Sequence, residues 1–414
     1  MSSINDNAVS LDRTIGFPLL VLYGMGTMIG AGFYALSGKV AGEAGMYAPL
    51  AFGAAGLLAL FSALTFAEFS SRLPHAGGSA RYLEEAFGKR WLSALTGWLI
   101  ITTGIVSAAT LAVAMTGFVQ DFVALPERPT IIALSAAMGA IAAWGIRQAV
   151  GVVVAISMVQ LLTLAYVAVA ALAAPDAPLE DWSALVPAVD EMAWIGIVGG
   201  GFLAFYAFIG FEDMVNLAEE VREPRRVLPR ALVAAMLLTT VVYMLVSAAL
   251  VLAVPPARLA EANTPLAEAV RHHGQAAIGI IGVVSILSAL NSALVQIVMV
   301  ARVAYGMANR GYAPAAFSIV GRRTRTPWLA TILATVVIAV LAAFLELTTL
   351  ARLTSAVILL VFIMVNLGLW WLKGFDRADR PSATFSLPRS VPLAGAATML
   401  AVLAFKSIQL IGNA

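Results

Sequence analysis

Apolar residues occur along this chain in long blocks separated by short polar connections, not in strict alternation and not as one-sided stripes. Eleven blocks reach or approach the roughly 20 residues that an α-helix needs to cross a hydrocarbon core. They lie at about 16–37, 46–71, 91–118, 130–146, 150–173, 194–217, 231–254, 276–307, 327–345, 349–372 and 391–411. A block that is apolar on every side must satisfy its backbone polar groups internally once water is gone, which predicts a helix. The fourth and ninth blocks are short and the eighth is long, so tilt varies among them. The expected fold is therefore an all-α membrane protein of about eleven transmembrane helices.

The basic residues test that count, because Lys and Arg concentrate on the cytoplasmic side of membrane proteins. With the N-terminus placed in the cytoplasm, one side receives Arg13, Arg72, Arg81, Lys89, Arg90, Arg147, Arg222, Arg225, Arg226, Arg230, Arg310, Arg322, Arg323, Arg325, Lys373, Arg377, Arg380 and Arg389. That is eighteen of the 25 basic residues. The other side receives Lys39, Arg128, Arg258, Arg271, Arg352 and Lys406, and Arg302 falls within the eighth block. A missed or invented span would scramble this bias, so the expected location is the inner (plasma) membrane with a cytoplasmic N-terminus.

Composition agrees and excludes several classes. The chain has 414 residues, 61% hydrophobic and 12% charged, too apolar to cover a soluble surface with polar groups. There is no cysteine, so disulfides, thiolate metal sites and cysteine nucleophiles are excluded. His75, His272 and His273 sit in polar connections without metal-site spacing, so neither metal nor cofactor is expected. The polar first residues (Ser2, Asn5, Asp6, Asn7, Asp12, Arg13) run into the first long span with no signal-peptide pattern. Nothing points to nucleic acid.

Two spans carry an unusual glycine load. The first reads Gly24-Met25-Gly26-Thr27-Met28-Ile29-Gly30-Ala31-Gly32-Phe33, and the sixth reads Gly199-Gly200-Gly201 through Phe205-Tyr206-Ala207-Phe208-Ile209-Gly210-Phe211-Glu212-Asp213. They are five spans apart, an odd number, so the second unit would enter the membrane inverted. Glycine-interrupted segments in matching positions of two halves point to the binding site of an inverted-repeat transporter. A helix broken at membrane depth frees N–H and C=O groups that lipid cannot satisfy, so the break must face a cavity or a ligand. The half-helix N-terminus suits a carboxylate, and the freed carbonyls suit an ammonium or a cation. The plainer reading of the same glycines is close helix packing. The expected organisation is a cytoplasmic segment 1–15, a first repeat 16–173 (helices 1–5), a second repeat 194–372 (helices 6–10) and an additional helix 391–411.

The order of motifs resembles the amino acid–polyamine–organocation superfamily of permeases. Met28-Ile29-Gly30-Ala31-Gly32-Phe33 is similar to that superfamily's first-span signature. Ala67-Glu68-Phe69 with Pro74-His75-Ala76-Gly77-Gly78 and Tyr82 resembles the stretch after its second span. Phe208 to Asp213, Ala218 to Pro224 with Pro229-Arg230, Ala308 to Pro314, and Thr326-Pro327 resemble its later motifs. The resemblance implies discontinuous helices 1 and 6, alternating access, and a substrate α-carboxylate on amides near Gly30, Ala31 and Gly32. It implies an α-amino group on carbonyls near Met28 and Ile29 and around Phe205 and Phe208, with Ile209 and Gly210 also at the bound substrate. Tyr206 takes the place of an aromatic gate over bound substrate. Gln160 stands where several proton-linked relatives carry a lysine, which leaves sodium coupling, exchange or uniport open. Ser285, Ser288, Asn291 and Ser292 could supply oxygen ligands, though such side chains equally bond helix carbonyls.

An ionisable side chain at membrane depth is costly and usually functional, which makes Glu212 a candidate proton-linked gating residue; its plainer role is a structural cap or a pair with Arg302. Glu68 or Glu220 could pair with a basic loop at the cytoplasmic mouth, and Trp91, Trp98, Trp370 and Trp371 read as interface anchors. A channel would show a ring-forming filter, and a membrane enzyme would need a nucleophile with its base or a metal. The expected function is a secondary permease for an amino acid. A neutral one moved by ion-coupled symport or exchange fits the apolar surroundings of the site. A cationic amino acid or polyamine is the alternative that Glu212 and Asp213 keep open. Expected partners are the amino acid, the lipid bilayer and a coupling proton or sodium ion.

Overall fold

Each apolar block becomes helix in the computed structural model, which describes residues 13–75, 78–144, 150–174, 182–187, 191–321, 324, 326–374 and 383–412. Ser2, Asn5, Asp6, Asn7, Asp12, Ala76, Gly77, Arg147, Arg322, Arg323, Arg325, Arg377 and Arg380 lie outside the described residues. In chain order the helices are α1 (Phe17–Met28), α2 (Ala31–Ala44), α3 (Ala48–Arg72), α4 (Gly78–Phe87), α5 (Arg90–Gln120), α6 (Glu127–Trp144), α7 (Val150–Leu172) and α8 (Glu191–Ala204). There follow α9 (Pro224–Ala253), α10 (Pro256–Glu261), α11 (Pro265–Glu268), α12 (Gln275–Asn309), α13 (Trp328–Phe344), α14 (Leu347–Gly374) and α15 (Ser390–Gly412). No strand occurs among the described residues.

The eleven expected spans each find their helix. The first is split into α1 and α2. The sixth is α8 followed by two 3-10 turns, Phe205–Phe208 and Phe211–Leu217. Several helices outrun the apolar block that predicts them: the first span continues to Ala44, and α9 starts at Pro224, ahead of Arg225, Arg226 and Arg230. Hydropathy senses only the hydrocarbon-facing stretch, whereas backbone hydrogen bonding carries a helix on into the polar interface.

Large apolar side chains point outward around the bundle, among them Leu162, Val169, Leu245, Ile280 and Phe344, the last at 74% exposure. In water such a surface would drive aggregation; in a bilayer it is the solvated side. Packing follows the interval of five spans: α3 lies along α9, α5 along α12, and α6 along α13. The two broken spans also meet, α1 against the Phe211–Leu217 turn and α2 against α8. Small residues permit these approaches. Added Cβ atoms on Gly200 and Gly196 would sit 3.0 Å from the Ala44 Cβ and 2.9 Å from the Glu43 carbonyl oxygen.

The basic connections gather on one face. There Arg310 pairs with Glu84 at 3.1 Å, Arg90 donates to the Tyr312 hydroxyl, and the Thr384 hydroxyl donates to the Arg225 carbonyl. Glu68, fully buried at the end of α3, accepts from Arg72 at 2.8 Å, from Lys373 of α14 at 2.6 Å and from the Leu387 amide at 2.9 Å. Glu68 is expected to pair with a basic loop; it pairs instead with Arg72 of its own helix and Lys373 of α14, both helix residues. Ile15 is pinned here too: its N–H donates to the Glu220 carbonyl and its carbonyl accepts from the Arg222 N–H.

Candidate functional site

The first break is local and sharp. α1 ends when Ile29 donates its N–H to the Met25 carbonyl at 2.7 Å. Gly30 then turns extended, with ψ −169°, before α2 restarts at Ala31. A side chain on Gly30 would collide with Ser292 of α12. The second break is longer. After the Phe205–Phe208 turn, Ile209 is extended, and Gly210 adopts φ +124°, a conformation that L side chains rarely take. The N–H of Gly210 donates to Glu212 Oε2 at 2.9 Å, so this carboxylate caps the restart of the sixth span. Arg302 is exposed on α12 and is not the partner of Glu212.

The two breaks touch. Thr27 Oγ1 donates to the Gly24 carbonyl at 2.9 Å and to the Gly210 carbonyl at 3.1 Å. A Cβ on Gly32 would lie 3.1 Å from the Ala207 Cα and 3.2 Å from the Tyr206 ring, so glycine here lets the Tyr206 ring and Ala207 approach the start of α2 closely. The Tyr206 hydroxyl is held 3.0 Å from Ser107 Oγ and 3.2 Å from the Ser107 carbonyl of α5. Met28, Ile29, Phe205, Tyr206, Phe208 and Ile209 are all buried.

A cavity of about 290 Å³ runs from Arg81, Arg310 and Tyr312 at the basic face to Ile209 of the second break. Its wall mixes apolar Ile100, Met299, Val303 and Ile358 with polar Glu212, Asp213, Asn216 and Gln296. The Gln296 side-chain oxygen is buried without a hydrogen-bond partner. The structure thus brings Ile209 and Glu212 to the cavity wall, while Met28, Ile29, Gly30, Gly32, Phe205, Tyr206, Phe208 and Gly210 lie outside its lining, with the Tyr206 ring against Gly32.

Gln160 and Ser288, singled out for coupling, meet each other: Gln160 Nε2 donates to Ser288 Oγ at 2.9 Å, tying α7 to α12. The Gln160 backbone carbonyl accepts from the Tyr34 hydroxyl of α2 at 2.9 Å, and its side-chain oxygen is left without a partner. Ser285 bonds back to the Ile281 carbonyl within its own helix. Among the described residues no group of three His, Asp or Glu side chains is placed to hold a metal ion.

Gly199, Gly200 and Gly201 do not form the break. They lie within α8 and face Glu43, Ala44 and Ala51, so they act as packing glycines, while the interruption falls at Ile209–Gly210. Sequence reasoning passed over Thr27, Ser107 and Tyr243. Tyr243 of α9 is fully buried, and its hydroxyl lies 2.7 Å from the Met28 carbonyl and 2.9 Å from the Ala207 carbonyl. The sequence signal for it is the single phenol of the span, whose other polar side chains, Thr239, Thr240 and Ser247, are short hydroxyls; a buried phenol tip must find a partner.

Known proteins resemble this chain along most of its length. The chain is 28% identical over 397 residues to a branched-chain amino acid permease of Bacillus subtilis, spanning 90% of this chain and 83% of the relative. It is 31% identical over 401 residues to an uncharacterized transporter of Mycobacterium tuberculosis, spanning 94% and 89%. It is 29% identical over 398 residues to cationic amino acid transporter 4 of Homo sapiens, spanning 90% of this chain and 62% of that protein. The amino acid permease family profile matches residues 15–412. Two interrupted helices meeting inside an eleven-span bundle and a match over almost the whole chain lead to one conclusion: this chain belongs to the amino acid permease family of the amino acid–polyamine–organocation superfamily, a family of membrane transporters.

Proposed function

We propose that this permease carries a neutral amino acid through the breaks of spans one and six by alternating access. The observation that carries the reading is the meeting of the two breaks at Thr27 and Gly210, with a cavity leading from the basic face to Ile209 beside them. In this reading the amides near Gly30, Ala31 and Gly32 receive the α-carboxylate, and carbonyls around Phe205, Phe208, Ile209 and Gly210 receive the α-amino group. Such interruptions supply both handles of a zwitterion. Tyr206 is the gate, since it covers Gly32 and must move before anything reaches it. Ile100, Met299, Val303 and Ile358 along the cavity favour an apolar substrate side chain, in keeping with the branched-chain permease among the relatives.

The pairing of helices five apart supports the inverted repeat, 16–173 against 194–372, with 391–411 as an added helix. The basic face is the cytoplasmic one by the usual charge bias of plasma-membrane proteins, which puts segment 1–15 inside. The conformation is then open inward. Gln160, bonded to Ser288, is a neutral tether where a cation would otherwise join α7 to α12, so coupling falls to Glu212 or transport proceeds by exchange.

A cationic substrate is the second reading, favoured by Glu212 and Asp213 on the cavity wall and by the cationic transporters among the relatives. A thermal-shift screen of the purified protein decides between them, because a ligand stabilises in proportion to its occupancy. Leucine, isoleucine, valine or phenylalanine should raise the melting temperature and drive saturable uptake into proteoliposomes. A response confined to arginine, lysine or diamines would replace the first reading with the second, and no stereoselective flux at all would reject both.

A further inference from the structure

We infer that the Tyr243 hydroxyl stands in for a bound cation between the two helix breaks, which makes Tyr243 a positioning residue for the substrate cradle. The inference rests on the reading of spans one and six as that cradle.

Helix interruption leaves carbonyl oxygens without their usual donors. The chain turns away from helix at Ile29 and Gly30, so the Met28 carbonyl loses its continuing turn. In the sixth span the amide of Gly210, which a continuing 3-10 turn would give to the Ala207 carbonyl, goes to Glu212 Oε2 instead. Two orphaned acceptors, one from each break, thus converge in a fully buried place. Carbonyls freed in this way are the ligands with which discontinuous transporter helices hold a cation. Here one phenol hydroxyl lies within hydrogen-bond distance of both, at 2.7 and 2.9 Å. It has a single proton to share between them, and it offers that partial positive charge with no ion taken from solution.

The hydroxyl is held there by its ring. The Tyr243 ring stacks on Phe33 of α2 with centroids 4.4 Å apart and planes 13° from parallel. It meets Phe208 of the second break edge-on at 5.1 Å, and Phe52 of α3 at 5.6 Å. Both broken spans therefore grip the ring whose hydroxyl bridges them. The bridge sets the spacing between the end of α1 and the Phe205–Gly210 segment, the spacing a zwitterion must fit. A carrier built this way needs no monovalent metal ion to hold the breaks in register.

Tyr243→Phe separates the bridge from the packing, because it keeps the ring and deletes only the donor. The expected result in proteoliposomes is a KM raised about tenfold or more, as two buried acceptors lose their donor, with kcat changed much less and the ligand-free melting temperature within a few degrees of wild type. Wild-type affinity is expected to be equal in sodium, potassium and choline buffers. An unchanged KM in Y243F overturns the inference. So does a lowered ligand-free melting temperature with an undiminished ligand-induced shift, which is what a purely structural role would give. If Y243F is not monodisperse, the wild-type cation series decides by itself: affinity that requires a monovalent metal ion overturns the claim, and equal affinity in the three buffers upholds it. Gly32→Leu, which fills the contact between α2 and Ala207, tests the cradle separately. Normal binding in G32L would reject the cradle, whereas lost binding in G32L beside normal binding in Y243F would reject Tyr243 alone.

Discussion

Thr27 and Gly210, 183 residues apart in sequence, form a direct hydrogen-bonded link between the two interrupted helices. The Thr27 hydroxyl donates to the Gly210 carbonyl at 3.1 Å, and a Cβ on Gly210 would fall 2.7 Å from the Thr27 carbonyl oxygen. Near-contact of the two backbones replaces side-chain packing at this point.

Gly210→Ala should therefore be severe for its size. The native φ of +124° and the contact with Thr27 both oppose a side chain, and strain of this kind is of order 1–3 kcal/mol. Uptake is expected to fall about tenfold or more, while Thr27→Ser, which keeps the donor, stays near wild type. Equal activity of G210A and wild type would show that the break tolerates a different backbone path.

Glu68→Gln should lower stability. The carboxylate is fully buried and balances Arg72 and Lys373, whose side chains are only 8% and 10% exposed. Removing one partner leaves buried positive charge uncompensated, a loss of roughly 3–5 kcal/mol. A melting temperature several degrees lower in detergent is the expected reading. Glu68→Gln combined with Lys373→Met should recover part of the loss, and an additive double variant would count against the network.

Glu212→Gln bears on coupling. If the carboxylate takes up and releases a proton during gating, wild-type uptake varies across the mildly acidic to mildly alkaline range, and the glutamine variant gives a flat profile. The amide can still accept from the Gly210 N–H, so the cap survives the substitution. A profile unchanged in E212Q would confine Glu212 to its capping role.

The absence of cysteine from the chain makes accessibility measurements clean. Asn216 is exposed and lines the cavity at the basic face. Glu346 is exposed at the end of α13, in a second cavity that also holds Lys39 and Arg128. An impermeant maleimide should label Asn216→Cys in inside-out vesicles but not in intact cells, and Glu346→Cys the reverse. The opposite pattern would invert the proposed orientation.

Hydropathy and charge distribution were enough to predict a helical membrane protein of about eleven spans, and the glycine load with the motif order pointed to the first and sixth as the interrupted ones. Both are local properties: an apolar block of sufficient length must hydrogen-bond within itself, and glycine inside such a block marks a break or a close helix contact. The motif order made the family legible as well. Only the tertiary structure decided where the interruptions fall and what meets there. Gly199 to Gly201 looked like part of the sixth-span break, yet they face Glu43, Ala44 and Ala51 as packing residues, because a glycine serves a turn and a close helix contact equally well. Tyr243 had no mark beyond its single hydroxyl. Its partner Met28 is 215 residues away, and a buried acceptor takes whichever donor the folded chain carries to it.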